Sequence, residues 1–309
     1  MAGAAREADA SSSVPATGGA TGMDAAAATP AVTAVDTHAH VMRRDLPLAS
    51  ERHSAPKRDV AVEEFIAVLD RHGISHGVLT APSFYGTDNR LLLAALDAYP
   101  DRLRGTAIVA PDVDDEALAA MNARGVVGIR LNWIRRESLP DAGSAAYQRL
   151  FGRVRELGWQ VEIYLEGPKL AAVLPQVRAA GVNVVLDHFA GPDPALGTAD
   201  PGFRAALAGV RAGDTWVKLS APYRLGGADP RRYVDALLDA GGGGQLIWAS
   251  DWPFVSHEDT IRYPMCVEWL GEWIADAATR RRILADTPAR LFRFGAASGP
   301  AAPEAAAAP

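Results

Sequence analysis

Cysteine is almost missing from this chain: Cys266 is the only one in 309 residues. One thiol excludes an intrachain disulfide and any zinc site built on four cysteines, and it suits a reducing compartment. No apolar run approaches the ~20 residues that a membrane-spanning helix needs. There is no basic stripe either, and with a net charge of −6 the chain offers little to neutralise nucleic-acid phosphates. The N-terminus lacks the basic-then-apolar order of a secretory signal. The expectation is a cytoplasmic protein with neither a nucleic-acid nor a membrane partner. A dinucleotide fingerprint is also wanting: Gly241–Gly244 follows a helical pattern instead of joining a strand to a helix, which is the wrong place to cradle phosphate.

Large apolar side chains are scarce in two stretches, residues 1–31 and 295–309, which are mostly Ala, Gly, Ser, Thr and Pro. Such segments cannot bury enough surface to offset their ordering entropy, so both are expected to be disordered tails, with Met23 an alternative start to Met1. Between them one unit repeats: a short β-branched or apolar run ending in polar residues, then a helix-period segment. The runs are Val32–Thr37, His76–Ala81, Leu103–Val109, Val126–Leu131, Trp159–Leu165, Val182–Asp187, Thr215–Leu219 and Gln245–Ala249. Helical segments lie between them, and a last helical region spans about Thr260 to Leu291. Pro168, Pro201 and Pro230 suit first-turn positions, and Gly73 and Gly241 follow helix patterns as C-terminal caps. Strands alternating with helices imply parallel pairing, and eight such units predict a single α/β domain over 32–294, a (β/α)₈ or TIM barrel.

In that fold the site lies at the C-terminal strand ends. The chemistry-bearing residues gather there. The first run leads into His38-Ala39-His40, where residues two apart on extended chain face one way. The sixth ends at His188 and the eighth at Asp251. Singly, each has a plain structural explanation: strand-end histidines are often solvated, and Asp before Trp-Pro is often a turn residue. Three imidazoles and a carboxylate at one rim point instead to a site. They are also a competent ligand set for one divalent cation.

The His38-Ala39-His40 pair, Asp187-His188-Phe189-Ala190-Gly191-Pro192 and Ser250-Asp251-Trp252-Pro253 resemble the amidohydrolase superfamily, in its branch of 2-pyrone-4,6-dicarboxylate lactonase and related sugar-lactone and muconolactone hydrolases. Pro82–Asn89 and Gly128–Asn132 extend the likeness, which covers about Val32 to Phe294. The resemblance implies Asp251 as the general base toward water, with His38, His40 and His188 stabilising the oxyanion. It further implies Arg130, Arg136 and Arg224 as binders of substrate carboxylates, and Ser83 and Tyr164 as hydrogen-bonding groups. Read by themselves, the arginines have other uses. An internal acid could meet Arg130, Arg136 could be solvated, Lys218 could pair with a neighbouring acid, and Glu166 is expected to pair with an arginine.

Two-metal members of the superfamily use a lysine on the fourth strand, where Arg130 stands here. Many carry a metal-binding histidine at the fifth strand's end, where this chain offers Tyr164 and Glu166. The expectation is therefore metal-independent hydrolysis of a small anionic substrate, a lactone bearing carboxylates. A single Zn²⁺ or Mn²⁺ is the alternative. Metal-dependent decarboxylation of an aromatic or muconate-type acid and a non-enzymatic ligand-binding barrel are the competing functions. The loop Arg52–Pro56 lacks the tyrosine expected of a dicarboxylate lactonase, and His53 is the candidate to replace it in part. Trp269–Trp273 reads as a helix packed on the barrel or as the contact of a homo-oligomer.

Overall fold

The computed structural model describes residues 31–295, so the expected tails fall outside the described residues except at their inner ends. Among those residues eight parallel strands form one sheet in sequence order: β1 (Val35–Ala39), β2 (His76–Thr80), β3 (Leu103–Ala107), β4 (Val126–Asn132), β5 (Gln160–Tyr164), β6 (Asn183–Leu186), β7 (Thr215–Leu219) and β8 (Leu246–Trp248). The helices that follow the first seven are α1 (Val62–Arg71), α2 (Arg90–Ala98), α3 (Asp115–Ala123), α4 (Ala145–Glu156), α5 (Gly167–Arg178), α6 (Pro201–Ala212) and α7 (Pro230–Gly241). The barrel closes where β8 meets β1. Thr37 Oγ1 donates to the Trp248 carbonyl at 2.8 Å, and the Asp251 amide donates to the His38 carbonyl at 3.0 Å.

The strands are nearly all buried because helices cover one face and the barrel interior the other. The main core lies between barrel and helices. A smaller apolar cluster joins Val35, Val78, Val185, Trp216 and Ile247 to Phe292 and Phe294. Phe294 packs on His76, at the start of β2, so this cluster plugs the N-terminal end of the barrel. The chemistry is thereby confined to the opposite end.

Three local expectations shift. The predicted first strand begins three residues later, at Val35, and its register slips between Asp36 and Ala39, which carries His38 inside the strand. The cap expected at Gly241 falls on Gly242, which takes φ 57° while Gly241 ends α7. The long final helical region is broken. It forms α8 (Tyr263–Trp273), then α9 (Ala277–Arg281), a π-helical turn (Arg282–Asp286) and α10 (Thr287–Leu291). Asp276 starts the second piece by accepting from the Thr279 amide at 2.7 Å. Of the two readings of α8, packing on the barrel is seen: Trp273 meets Phe189 and Trp269 meets Tyr223.

Candidate active site

Three imidazoles converge at the barrel mouth. His40 Nδ1 is 2.7 Å from the Thr80 carbonyl, and His188 Nδ1 is 2.8 Å from Ser220 Oγ. With those nitrogens anchored, each ring turns its Nε2 inward. His38 Nε2 lies 3.3 Å from His40 Nε2. Asp251 Oδ1 sits 3.7 Å from His38 Nε2, 3.9 Å from His40 Nε2 and 3.7 Å from His188 Nε2. Burial lowers all three imidazoles, His40 and His188 to about 4, so all are neutral near pH 7.

The loops that present these groups hold unusual backbone. His188, Phe189 and Ala190 after β6, Ala221 after β7 and Asp251 after β8 all have positive φ without being glycine. Such left-handed residues carry about 1–2 kcal/mol each in a free chain, so the surrounding contacts must impose them.

The second carboxylate oxygen of Asp251 is fully engaged. Its Oδ2 accepts from the Tyr223 hydroxyl at 2.8 Å, from Arg224 Nε at 2.9 Å and from a terminal Arg224 nitrogen at 2.8 Å. Burial alone would raise the Asp251 pKa. The Arg224 charge, with the imidazoles, outweighs it and holds the carboxyl far below the usual range. This pairing was not visible in the sequence, where Arg224 was assigned to substrate. In this arrangement its guanidinium is on Asp251.

Arg130 lines the cavity and is also met by internal acids. It donates to Asp187 Oδ2 at 2.8 Å and to the Ala81 carbonyl at 3.1 Å, and its Nε lies 3.3 Å from Glu162 Oε1. Lys218 has the acid partners that sequence reasoning allowed: Glu162 Oε2 at 2.6 Å and Asp187 Oδ1 at 3.1 Å. Burial and the Asp187 charge push Glu162 upward against Lys218; the Lys218 and Arg130 charges hold Asp187 well below its ordinary value despite burial. Glu162 was missed, yet strand periodicity could have found it. It is two residues before Tyr164, on the same face of β5.

Tyr164 and Ser83 line the cavity beside His40, His188, Arg130 and Asp251. Tyr164 sets its ring edge-on to His188 at 4.9 Å, and Ser83 Oγ lies 3.2 Å from His53 Nε2. This inner cavity of about 110 Å³ adjoins an outer one of about 670 Å³, with Ser83, Arg130 and His53 on both. Arg136 reaches only the outer cavity and lies 3.6 Å from Glu51. Glu166 departs from expectation: its neighbours are the Arg135 amide at 2.9 Å and Lys169 at 3.6 Å, not an arginine side chain.

Among the described residues, ligand atoms of His38, His40 and Asp251 lie close enough together to hold one metal ion, while His188, expected as a fourth ligand, groups instead with His38 and Asp187. The separations of 3.3–3.9 Å within the His38, His40 and Asp251 group lie near the roughly 3.3–3.5 Å edges of a tetrahedron with ligands at about 2.0–2.1 Å. The residues therefore fit a divalent cation in spacing.

A sequence profile of the amidohydrolase family matches residues 35–294. The chain belongs to that family. Its relatives include a probable 2-pyrone-4,6-dicarboxylic acid hydrolase from Acinetobacter baumannii, whose crystal structure has citric acid bound. That structure is 35% identical with a TM-score of 0.78, over 85% of this chain and 100% of that one. A 2-pyrone-4,6-dicarboxylate hydrolase from Comamonas testosteroni is 28% identical over 84% of this chain and 90% of the relative. A 4-sulfomuconolactone hydrolase from Hydrogenophaga intermedia is 27% identical over 83% and 88%. This amidohydrolase is thus an enzyme, a hydrolase of the superfamily, and the expected barrel is its fold.

Proposed function

We propose that this amidohydrolase opens lactones that carry carboxylate groups, 2-pyrone-4,6-dicarboxylate or a muconolactone being the model substrates. One observation carries the reading: Asp251 Oδ1 faces three neutral imidazoles within 3.7–3.9 Å, inside a cavity that also bears Arg130 and Arg224. The names of relatives support the substrate class, since two act on lactones with acidic substituents.

In this mechanism a water molecule sits at Asp251 Oδ1 and the lactone carbonyl oxygen at the imidazoles. Asp251 takes a proton as the water oxygen bonds to the carbonyl carbon, and imidazole N–H groups stabilise the oxyanion. The ring C–O bond then breaks, the proton returns to the departing oxygen, and the products are an acid and a hydroxyl or enol. A substrate carboxylate competes with Asp251 for Arg224, because one guanidinium fork pairs two oxygens at a time. Withdrawing Arg224 raises the basicity of Asp251 when substrate is present. Ser83 and His53, 3.2 Å apart, stand where a further carboxylate oxygen can be held, with His53 in the loop that lacks the expected tyrosine.

The reaction in this reading needs no metal, because inward N–H groups of neutral imidazoles can polarise an ester carbonyl. A bound cation would act as a Lewis acid on the same carbonyl, held by His38, His40 and Asp251. The donor spacing favours that arrangement enough to keep metal-dependent decarboxylation as the second reading. Protein of measured metal content should be offered carboxylated lactones and, separately, aromatic and muconate-type acids. Acid release from lactones, unchanged by chelation, is expected. Turnover lost on chelation would overturn metal independence, and CO₂ release without lactone opening would overturn the lactonase reading.

A further inference from the structure

Lys218 sits where three buried acceptors converge. Its Nζ is 2.6 Å from Glu162 Oε2, 3.1 Å from Asp187 Oδ1 and 2.9 Å from His38 Nδ1, and all four side chains are fully buried. An ammonium has three N–H donors and no lone pair. Lys218 hydrogen-bonds Glu162 and His38 and ion-pairs Asp187, and with no lone pair it can only donate, so His38 Nδ1 accepts and carries no proton. A cationic His38 is disfavoured, because Lys218 and Arg130 already balance Glu162 and Asp187, and a third buried cation would have no partner. The other neutral form would give Nδ1–H to Asp187 at 3.2 Å but set that N–H against the ammonium.

The same logic runs on through the site. With Nδ1 bare, the His38 proton is on Nε2, which faces His40 Nε2 at 3.3 Å. His40 Nδ1 is 2.7 Å from the Thr80 carbonyl, which can only accept, so His40 is protonated there and its Nε2 offers a lone pair. The donors all point one way: Lys218 to His38, His38 to His40, His40 to Thr80.

We propose that Lys218 is a positioning residue that fixes His38 as the Nε2–H tautomer, so that the inward nitrogen of His38 carries a proton, given to His40 in the free protein and to a substrate oxygen that displaces that contact, and not a metal-ligating lone pair. The part concerning carbonyl polarisation rests on the lactonase reading above; the tautomer does not. A site spaced for a cation is thereby turned toward oxyanion binding by a lysine that reaches His38 on β1 from β7, two strands away.

Histidine ¹⁵N NMR on the full, metal-free chain near neutral pH tests it directly, with His38 assigned by His38→Gln. A protonated Nε2 and bare Nδ1 are expected, and a protonated Nδ1 overturns the proposal. The double variant Lys218→Met/Glu162→Gln keeps the cluster's charge balance, so it should fold. In it Asp187 becomes the one carboxylate left beside His38 Nδ1, no donor opposes an N–H there, and the tautomer should reverse. Zinc affinity by calorimetry should then rise by about tenfold or more, the scale of outer-shell effects on metal sites. Lactone kcat should fall by about tenfold or more with KM nearly unchanged, as for a lost oxyanion donor. Wild-type tautomer and zinc affinity in the double variant would remove Lys218 from this role. If the wild type shows the stated tautomer but opens no lactone, the substrate reading fails and the Lys218 assignment stands.

Discussion

Asp251 divides its carboxylate between two tasks. One oxygen holds Tyr223 and Arg224, while the other faces the imidazoles. Asp251→Asn keeps the shape and removes the base. It should lower kcat by about 10²–10⁴-fold while equilibrium binding of a substrate analogue persists. Unchanged turnover would take Asp251 out of the chemistry. Arg224→Gln removes the charge that holds Asp251 so acidic. The acidic limb of the kcat/KM profile should therefore move to higher pH, toward the ordinary carboxylate range, and a stationary limb would mean that another group sets it. The imidazoles also govern acid stability. His40 and His188 titrate near 4 in the folded protein because they are buried, against 6.5 when exposed. Their contribution is complete above pH 6.5 and is lost as pH falls toward 4, by about 2 kcal/mol each at pH 5. Asp36, raised to about 6 by burial, works oppositely, by about 1 kcal/mol. The imidazoles win, so the melting temperature should drop between pH 7 and pH 5, and His40→Asn/His188→Asn should flatten that drop.

At the scale of elements, the loops carry the site because helices hold them close. The start of α6 presses on the start of α5: a Cβ at Gly202 would run into the Gly167 carbonyl, and one at Gly167 into the Asp200 carboxylate that caps α6. Gly202→Ala should destabilise by about 1–3 kcal/mol, as overpacking does. Gly152 is the control. It lies within α4 with open space around its would-be Cβ, so Gly152→Ala should stabilise by about 0.5–1 kcal/mol through helix propensity. Urea midpoints for both variants check the pair, and equal shifts would show that the α5–α6 contact is not tight.

For the whole molecule the decisive junction is the seam where the last strand returns to the first. Asp36 on β1 accepts from the Ser250 amide at 2.9 Å, from Ser250 Oγ at 2.5 Å and from the Tyr263 hydroxyl at 3.0 Å. Those bonds fix the loop that carries Asp251 to the strand that carries His38. Asp36→Ala would remove the acceptor of these three donors and of the His38 amide, 3.3 Å away, a loss of about 3–5 kcal/mol at about 1–3 kcal/mol per orphaned group, less relaxation. Stability and kcat should fall together, as read by thermal melts and lactone turnover. A stable, inactive variant would show that the seam positions the site without holding the barrel shut.

Much of this was legible along the chain. The alternation of apolar runs and helical segments determined an eight-unit barrel, because burial on both faces leaves a periodic imprint on local sequence. The placement of His38, His40, His188 and Asp251 at strand ends followed from the same pattern. What those side chains bond to was decided only by the tertiary structure. Arg224 chose Asp251, Arg130 chose Asp187, and Lys218 met Glu162 and His38 across the barrel. Partners in a buried charge network are separated by tens to hundreds of residues. They are selected by interior geometry and by the need to leave no charge alone, and neither is written in the spacing of neighbours along the chain.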